Sequence, residues 1–400
     1  MTQHHSSFDR LYALDNLRGV MMWLGVVLHV AVIYMVAPSP LPWHDTQRSE
    51  LADLLVVLIH SFRMPVFFIL AGFFVTLLVQ RRGVRGMLKN RLARLGLPFA
   101  LMWPVLYVAC GVLALLFVHR MVRGGWGLDP SLIPPRDDAP KWNTLHLWFL
   151  WMLMWFCLFT AALTPLAQAI PTALRARLAT AFEQLAGSAW GVALLALPLA
   201  VLGASYKDGM VMASGAFLPP LAEWLHNGLF YLFGLALYGQ RERLLALYQR
   251  RWSAYAGTGL LCFATALTLV SLTRDHRVPI AHVTFWFALA YNTCTWLWSF
   301  ALIGLFLRYV SQPHWALSYL AQSSYWVYLI HMPATIGFGA LLYGAPLPAV
   351  AKITLNIIAT TVVSLLSYHV LVRSTPLSNL LNGRRYPFAG LGGPPTAVPR

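Results

Sequence analysis

Charged side chains are scarce in this 400-residue chain: 10% are Asp, Glu, Lys or Arg, against 58% hydrophobic and 14% aromatic. A water-soluble domain carries about a quarter of its residues as charges, so a soluble protein is excluded. Ten-residue stretches of alternating polarity are missing too, which excludes a membrane barrel. What is left is an all-α polytopic membrane bundle, because backbone in hydrocarbon must satisfy its own hydrogen bonds. Cysteine is rare: Cys110, Cys157, Cys262 and Cys294 all sit in apolar stretches without a CxxC spacing. That is the pattern of free buried thiols, not of disulfides or zinc ligands. Among thirteen histidines no two fall at ligand spacing with an acidic or cysteine partner, so no metal site and no resident cofactor are expected; His4-His5 carries no weight. No internal repeat is visible, which removes the usual sequence hint of an inverted-repeat transporter.

The apolar windows that are present predict crossings near 11–36, 51–80, 95–118, 144–169, 187–204, 221–240, 254–273, 283–309, 316–342 and 347–372. Each is long enough, at about 1.5 Å per residue, to cross about 30 Å of hydrocarbon. Ten crossings put both termini on one side. With the N-terminus inside, the inner segments hold eighteen of the 29 Lys+Arg, among them Arg81, Arg82, Arg85, Lys89, Arg91 and Arg94. The outer segments hold eight, so both termini are predicted to be cytoplasmic. The formal charge of +16 then reflects orientation and attraction to anionic headgroups, with no nucleic-acid partner. The polar first ten residues, leading into a long span, do not read as a removable signal peptide. Residues 1–372 form one transmembrane domain, and the Gly-, Pro- and Arg-rich stretch 373–400 is expected to be a flexible basic cytoplasmic tail.

A charge inside a span costs at least about 2.5–3.5 kcal/mol, so each one asks for a partner or a purpose. Asp15, Arg18, Met22, Gly25 and His29 follow the 3-4-3-4 spacing of one helix stripe, with roughly 16 Å of rise between Arg18 and His29. The stripe suits a shaft that receives a long anionic molecule from the cytoplasm. The plainer alternative is an Asp15–Arg18 pair at the helix entry and a His29 bonded to a neighbouring carbonyl. In the second span Asp53, His60 and Arg63 share a face ahead of a kinking Pro65. His60 counts to a depth close to His29, which puts both imidazoles within reach of one pocket. Ahead of the third span, Arg91-x-x-Arg94 sets two guanidinium groups on one face, suited to bidentate phosphate contact or to a solvated surface. His146 opens HLWFLWMLMWF, whose Trp148, Trp151 and Trp155 also fit an aromatic belt. Tyr325, Tyr328 and His331 line one face of the ninth span, and Glu223, His226 and Asn227 one face of the sixth. The loop 119–143, with Trp126, Trp142, Asp129, Asp137 and Asp138, has the aromatic and polar mixture that sugar binding uses.

These segments carry a resemblance. ALDNLRGVMMWLGVVLH is similar to the opening of the acyltransferase 3 superfamily, with its Arg-x10-His and RxxR marks at Arg18/His29 and Arg91/Arg94. HSFRMPVFFILAGFF (60–74), HLWFL (146–150) and SSYWVYLIHMP (323–333) resemble its glucans biosynthesis protein C branch. One departure is Ala71, where that family usually has serine. The resemblance implies a bacterial inner-membrane O-acyltransferase that moves an acyl group, succinyl in that branch, from cytoplasmic acyl-CoA to a periplasmic glucan. It implies His29 as the catalytic histidine supported by Arg18, and Arg91 and Arg94 near the coenzyme A phosphates. His60, Arg63, His146, Trp148, Tyr328 and His331 are the candidates for the acyl or acceptor pocket. Direct transfer and an acyl-histidine relay are both open. Two alternatives stand beside it: O-acetylation of another cell-surface glycan, and a glycan or secondary transporter, which would also use buried His and Arg.

Overall fold

The structure is a computed structural model that describes residues 7–388 apart from 40, 134–141, 275–277 and 313. Twelve α-helices occur among the described residues, and no strand. The helices are α1 (Ser7–Ala31), α2 (Glu50–Arg91), α3 (Leu97–Arg123), α4 (Trp148–Ala169), α5 (Thr172–Gly187) and α6 (Ala189–Ala204), followed by α7 (Leu221–Gly239), α8 (Arg241–Arg274), α9 (Val283–Tyr309), α10 (Trp315–Leu342), α11 (Ala349–Ser367) and α12 (Pro376–Asn382). Seven described segments are long and apolar enough to cross a membrane, or eight if α5 and α6, bent by 95°, count as one.

One of those seven, Glu50–Arg123, is 74 residues long. A straight helix of that length would run about 110 Å, far beyond a bilayer. The chain doubles back instead. Near the start of α2, Asp53 accepts the Val36 and Ala37 N–H groups at 2.9 and 3.0 Å, just beyond the end of α1. Near the end of α3, Phe117 packs with Ile33 around Gly339, so it shares that same end of the bundle. Gly83, at φ 67° and ψ 173°, and a π-helical turn at Leu92–Gly96 supply the break between the two limbs. Arg91 and Arg94 flank this hinge, at the end of the bundle where α1 begins.

Small residues allow α2 and α7 to touch. A Cβ at Gly72 would overlap the Tyr231 carbonyl, and one at Gly234 the Ile69 carbonyl, so backbone meets backbone there as in other helix pairs in lipid. α5 is largely exposed and lies across the start of α6. α4 begins in the bundle interior: the 3₁₀ turn Leu145–Leu147 precedes it, and His146 Nε2 lies 3.0 Å from the Leu329 carbonyl, halfway along α10.

The C-terminal stretch departs from the flexible tail expected from 373. Residues 373–388 are held by α12, whose Leu381 is buried, by Arg373 Nε donating to the Pro387 carbonyl at 3.0 Å, and by a left-handed Gly383 that ends the helix. Leucines 377 and 381 give this segment an apolar face that its Gly, Pro and Arg content conceals. Residues 389–400 lie outside the described residues.

The most deeply buried charges are a pair. Lys352 of α11 donates to both oxygens of Asp45 at 2.9 Å, and both side chains are 0% exposed. Asp45 also accepts the Gln47 N–H at 2.8 Å. This ties α11 to the connector between α1 and α2.

Candidate active site

Four helices and one turn converge on a space of about 360 Å³ in the bundle interior. α1 brings Met22, Gly25 and His29, α2 brings Arg63, Met64 and Phe67, and α10 brings Tyr328 and His331. His146 comes from the 3₁₀ turn, and Trp148 and Phe149 open α4. Six of the ten residues singled out from the sequence therefore meet in one cavity.

The three imidazoles are arranged in a chain. The ring centroids of His29 and His331 are 5.1 Å apart, and those of His331 and His146 are 5.1 Å apart at an interplanar angle of 85°. Two of the rings have their tautomers set by their neighbours. His331 Nδ1 faces only carbonyl acceptors, Val327 at 3.1 Å and Tyr328 at 2.8 Å, so that nitrogen carries the hydrogen and Nε2 keeps its lone pair. His331 Nε2 is buried and has no partner among the described residues. By the same reasoning His146 donates from Nε2 to the Leu329 carbonyl, and its Nδ1 is buried without a partner. Tyr328 donates its hydroxyl to the His146 carbonyl at 2.7 Å and so locks the turn. No hydrogen bond to His29 is found among the described residues, so its ring is held by packing alone.

Gly25 makes room for the one cation. A Cβ there would come within 2.5 Å of an Arg63 terminal nitrogen, so any larger residue would push the guanidinium out of the cavity. Arg63 Nε is buried and unpartnered among the described residues, and no carboxylate lines the cavity. A buried guanidinium without a carboxylate is costly unless an anion completes it.

His60 does not share this cavity. One helical turn before Arg63, it faces α7 and α9 and lines an adjoining space, with Met64 and Trp148 as common walls. Depth was legible from counting residues, but the direction around the α2 axis was not. Asp53, placed on the same face by spacing, is used at the helix start.

Arg18, Arg91 and Arg94 lie apart from the cavity, Arg18 midway along α1. Arg18 pairs with Asp15 at 3.2 Å while 45% exposed, and lies over the Phe74 ring at 5.9 Å. It is close enough to Arg91 and Arg94 for the three to repel one another. Arg94 is partly committed: its Nη1 donates to the Asn382 carbonyl at 3.3 Å, and its own carbonyl accepts the Tyr325 hydroxyl at 2.7 Å. Arg91 makes no hydrogen bond among the described residues, and its Nε is buried.

Of the other sequence candidates, His226 and Asn227 line the adjoining space with His60, and most of the rest are spent locally. Trp151 donates to the Phe217 carbonyl at 2.7 Å. Glu223 accepts the Ser214 N–H at 2.8 Å, and Asn227 donates to the Glu223 carbonyl. In the loop after α3, side-chain and backbone hydrogen bonds from Ser131 hold the Asp129 carboxyl below the usual carboxylate range. Trp126 stacks on Arg120 at 4.5 Å and Trp142 on Tyr107 at 5.4 Å; Asp137 and Asp138 lie outside the described residues. Sequence reading missed Tyr291, Asn292 and Thr295 of α9, which line the adjoining space with His60. Their i, i+4 spacing in an otherwise apolar helix was the available signal.

Unprotonated imidazole nitrogens and a free guanidinium, enclosed in an apolar helical bundle, suit proton transfer next to a developing negative charge. The chain belongs to the acyltransferase 3 family, whose acyltransferase domain matches residues 11–369. It is similar to proteins named glucans biosynthesis protein C: those of Escherichia coli O1:K1 / APEC and Shigella dysenteriae serotype 1 (strain Sd197) are each 27% identical over 349 residues. The protein of that name from Escherichia coli (strain K12) is also 27% identical, and in all three cases 84% of each chain is covered. No solved structure matches.

Proposed function

We propose that this protein is an inner-membrane O-acyltransferase that carries an acyl group, succinyl in particular, from cytoplasmic acyl-CoA to a hydroxyl of a periplasmic glucan. The observation that carries this reading is the His29–His331–His146 cavity with Arg63 in its wall, inside a chain of the acyltransferase 3 family. Ten crossings with both termini cytoplasmic fit it, since Arg18, Arg91 and Arg94 then face the compartment that supplies acyl-CoA. The coenzyme phosphates sit against Arg91 and Arg94, and the pantetheine arm lies along the stripe from Arg18 to His29, whose rise is roughly 16 Å.

His29 takes the proton of the acceptor hydroxyl as its oxygen attacks the thioester carbonyl. The C–O bond forms, the C–S bond breaks, and the proton passes from His29 to the departing thiolate, giving coenzyme A and an O-acyl ester. His331 is a positioning residue, because its Nε2 lone pair is available to a His29 N–H and turns the other His29 nitrogen towards the acceptor. Arg63 pairs the terminal carboxylate of a succinyl group, which supports succinyl over acetyl as the cargo. The similar proteins named for glucan biosynthesis support the acceptor class.

Three measurements test this reading. Mass spectrometry of periplasmic glucans from a null strain should show a mass gain equivalent to succinyl groups on complementation with the wild type; unmodified glucans would contradict it. Arg63→Met should lower succinyl transfer at least about tenfold more than acetyl transfer, the expected size for a lost charge-assisted bond. Equal loss with both donors would contradict the carboxylate role. Arg91→Gln should raise KM for acyl-CoA about tenfold with little change in kcat, as loss of a phosphate contact predicts. Arg94→Gln should do less, because Arg94 already donates to Asn382.

A further inference from the structure

Beside the His29 cavity lies a second one, with about 500 Å³ of open space, which the mechanism above does not use. We propose that it is the acceptor subsite and holds a neutral, hydroxyl-rich ring, one sugar unit of the glucan, next to the ring being acylated. This inference rests on the acyl-transfer reading for its role, but not for its ligand chemistry.

The hydrogen-bond accounting identifies the ligand class. Among the described residues no Asp, Glu, Lys or Arg lines the space. Its hydroxyl groups have already donated their hydrogens to backbone: Ser61 to Leu58 at 2.7 Å, Thr295 to Tyr291 at 3.0 Å, and Tyr291 to Val57 at 3.1 Å. What they present to the cavity is lone pairs. Each carboxamide also spends a hydrogen on its own helix, Asn227 on Glu223 at 3.0 Å and Asn292 on Ala288 at 2.8 Å. His226 Nδ1 is buried and unpartnered while the ring lies within side-chain hydrogen-bond reach of Asn227 and Asn292, and no hydrogen bond to His60 is found among the described residues.

The wall offers hydroxyl lone pairs together with the N–H groups left on the carboxamides and imidazoles, so its ligand must both donate and accept. A simple anion only accepts and would leave the hydroxyl lone pairs unmet. A cation would meet the field of Arg63, which acts on His60 from the neighbouring cavity. A polyol satisfies the wall without charge, and the Trp148 indole supplies an apolar surface for a ring face.

Position agrees with chemistry. Met64 and Trp148 line both cavities, so the second lies directly beside the first. Met210, Val211 and Ala213, from the connector between α6 and α7, wall one side of the space. That connector sits near the starts of α2 and α9, since Gly209 lies against Phe287 and Met210 packs in one cluster with Val57 and Leu58. This side of the space is therefore the one away from Arg91 and Arg94, which follow the far end of α2.

The test is titration of the full-length protein in nanodiscs with a neutral glucose hexasaccharide, followed by calorimetry. Saturable binding is expected for wild type and for His29→Ala. Asn292→Leu should weaken it by at least roughly tenfold, about 1.4 kcal/mol. Ala213→Trp, which adds bulk to the space from the connector, should abolish it, so a folding defect in the first variant does not decide the matter. Equal binding by wild type and both variants overturns the inference, as does absence of binding to wild type, or equal binding of an anionic hexasaccharide. If the neutral sugar binds as expected and no acyl group is transferred from acyl-CoA, the subsite stands and the acyl-transfer reading falls.

Discussion

His29→Ala should lower kcat for acyl transfer by about 10²–10⁴-fold, the range for loss of a positioned general base, while KM for acyl-CoA changes little. The split follows from the geometry. In the proposed reading the phosphates are held at Arg91 and Arg94, and roughly 16 Å of helix separates Arg18 from His29. His29→Gln, which keeps a hydrogen-bonding group but no titratable nitrogen, should be as inactive as the alanine variant. His331→Phe should lose less, because it removes the neighbour that orients the ring and leaves the base in place. Single-turnover measurement with purified protein checks all three. A His29→Ala enzyme with wild-type kcat would make His29 structural and end the mechanism.

Lys352→Met should destabilise the fold by about 3–5 kcal/mol, the cost of leaving one partner of a buried ion pair uncompensated. Both members are fully buried, and Lys352 meets both Asp45 oxygens. Removing the cation leaves a buried carboxylate with the Gln47 N–H at 2.8 Å and the Thr46 hydroxyl at 3.5 Å as its remaining donors. Lys352→Met combined with Asp45→Asn should recover much of the loss, because a neutral amide costs far less to bury than a carboxylate. Thermal unfolding in detergent, followed by size-exclusion chromatography, measures the difference. A single variant as stable as wild type would show that the pair contributes nothing.

What the sequence disclosed depended on how each feature is encoded. The Arg18–His29 stripe was legible because charges are costly in hydrocarbon and 3-4 spacing fixes a helix face. His146, Trp148, Tyr328 and His331 were recognised as polar groups in apolar surroundings, but only packing reveals that α4 starts beside the middle of α10 and so delivers His146 next to His331. His60 was set beside His29 because counting residues gives depth and not azimuth. Asn292 and Thr295 escaped notice because uncharged polar groups are cheap enough in a span to be ordinary. The apolar face of α12 was hidden by its Gly- and Arg-rich flanks, and with it the contact between Arg94 and Asn382.

The central claim is that the acyl group crosses the membrane through this bundle, entering at the Arg91/Arg94 end and leaving at the end where α2 begins. Proteoliposomes with the protein in one orientation, radiolabelled succinyl-CoA on one side and glucose hexasaccharide sealed on the other, test it directly. Labelled sugar is expected only when the donor is on the side of Arg91 and Arg94 and the sugar on the opposite side. Labelling with both substrates on one face, or in neither arrangement, would contradict it.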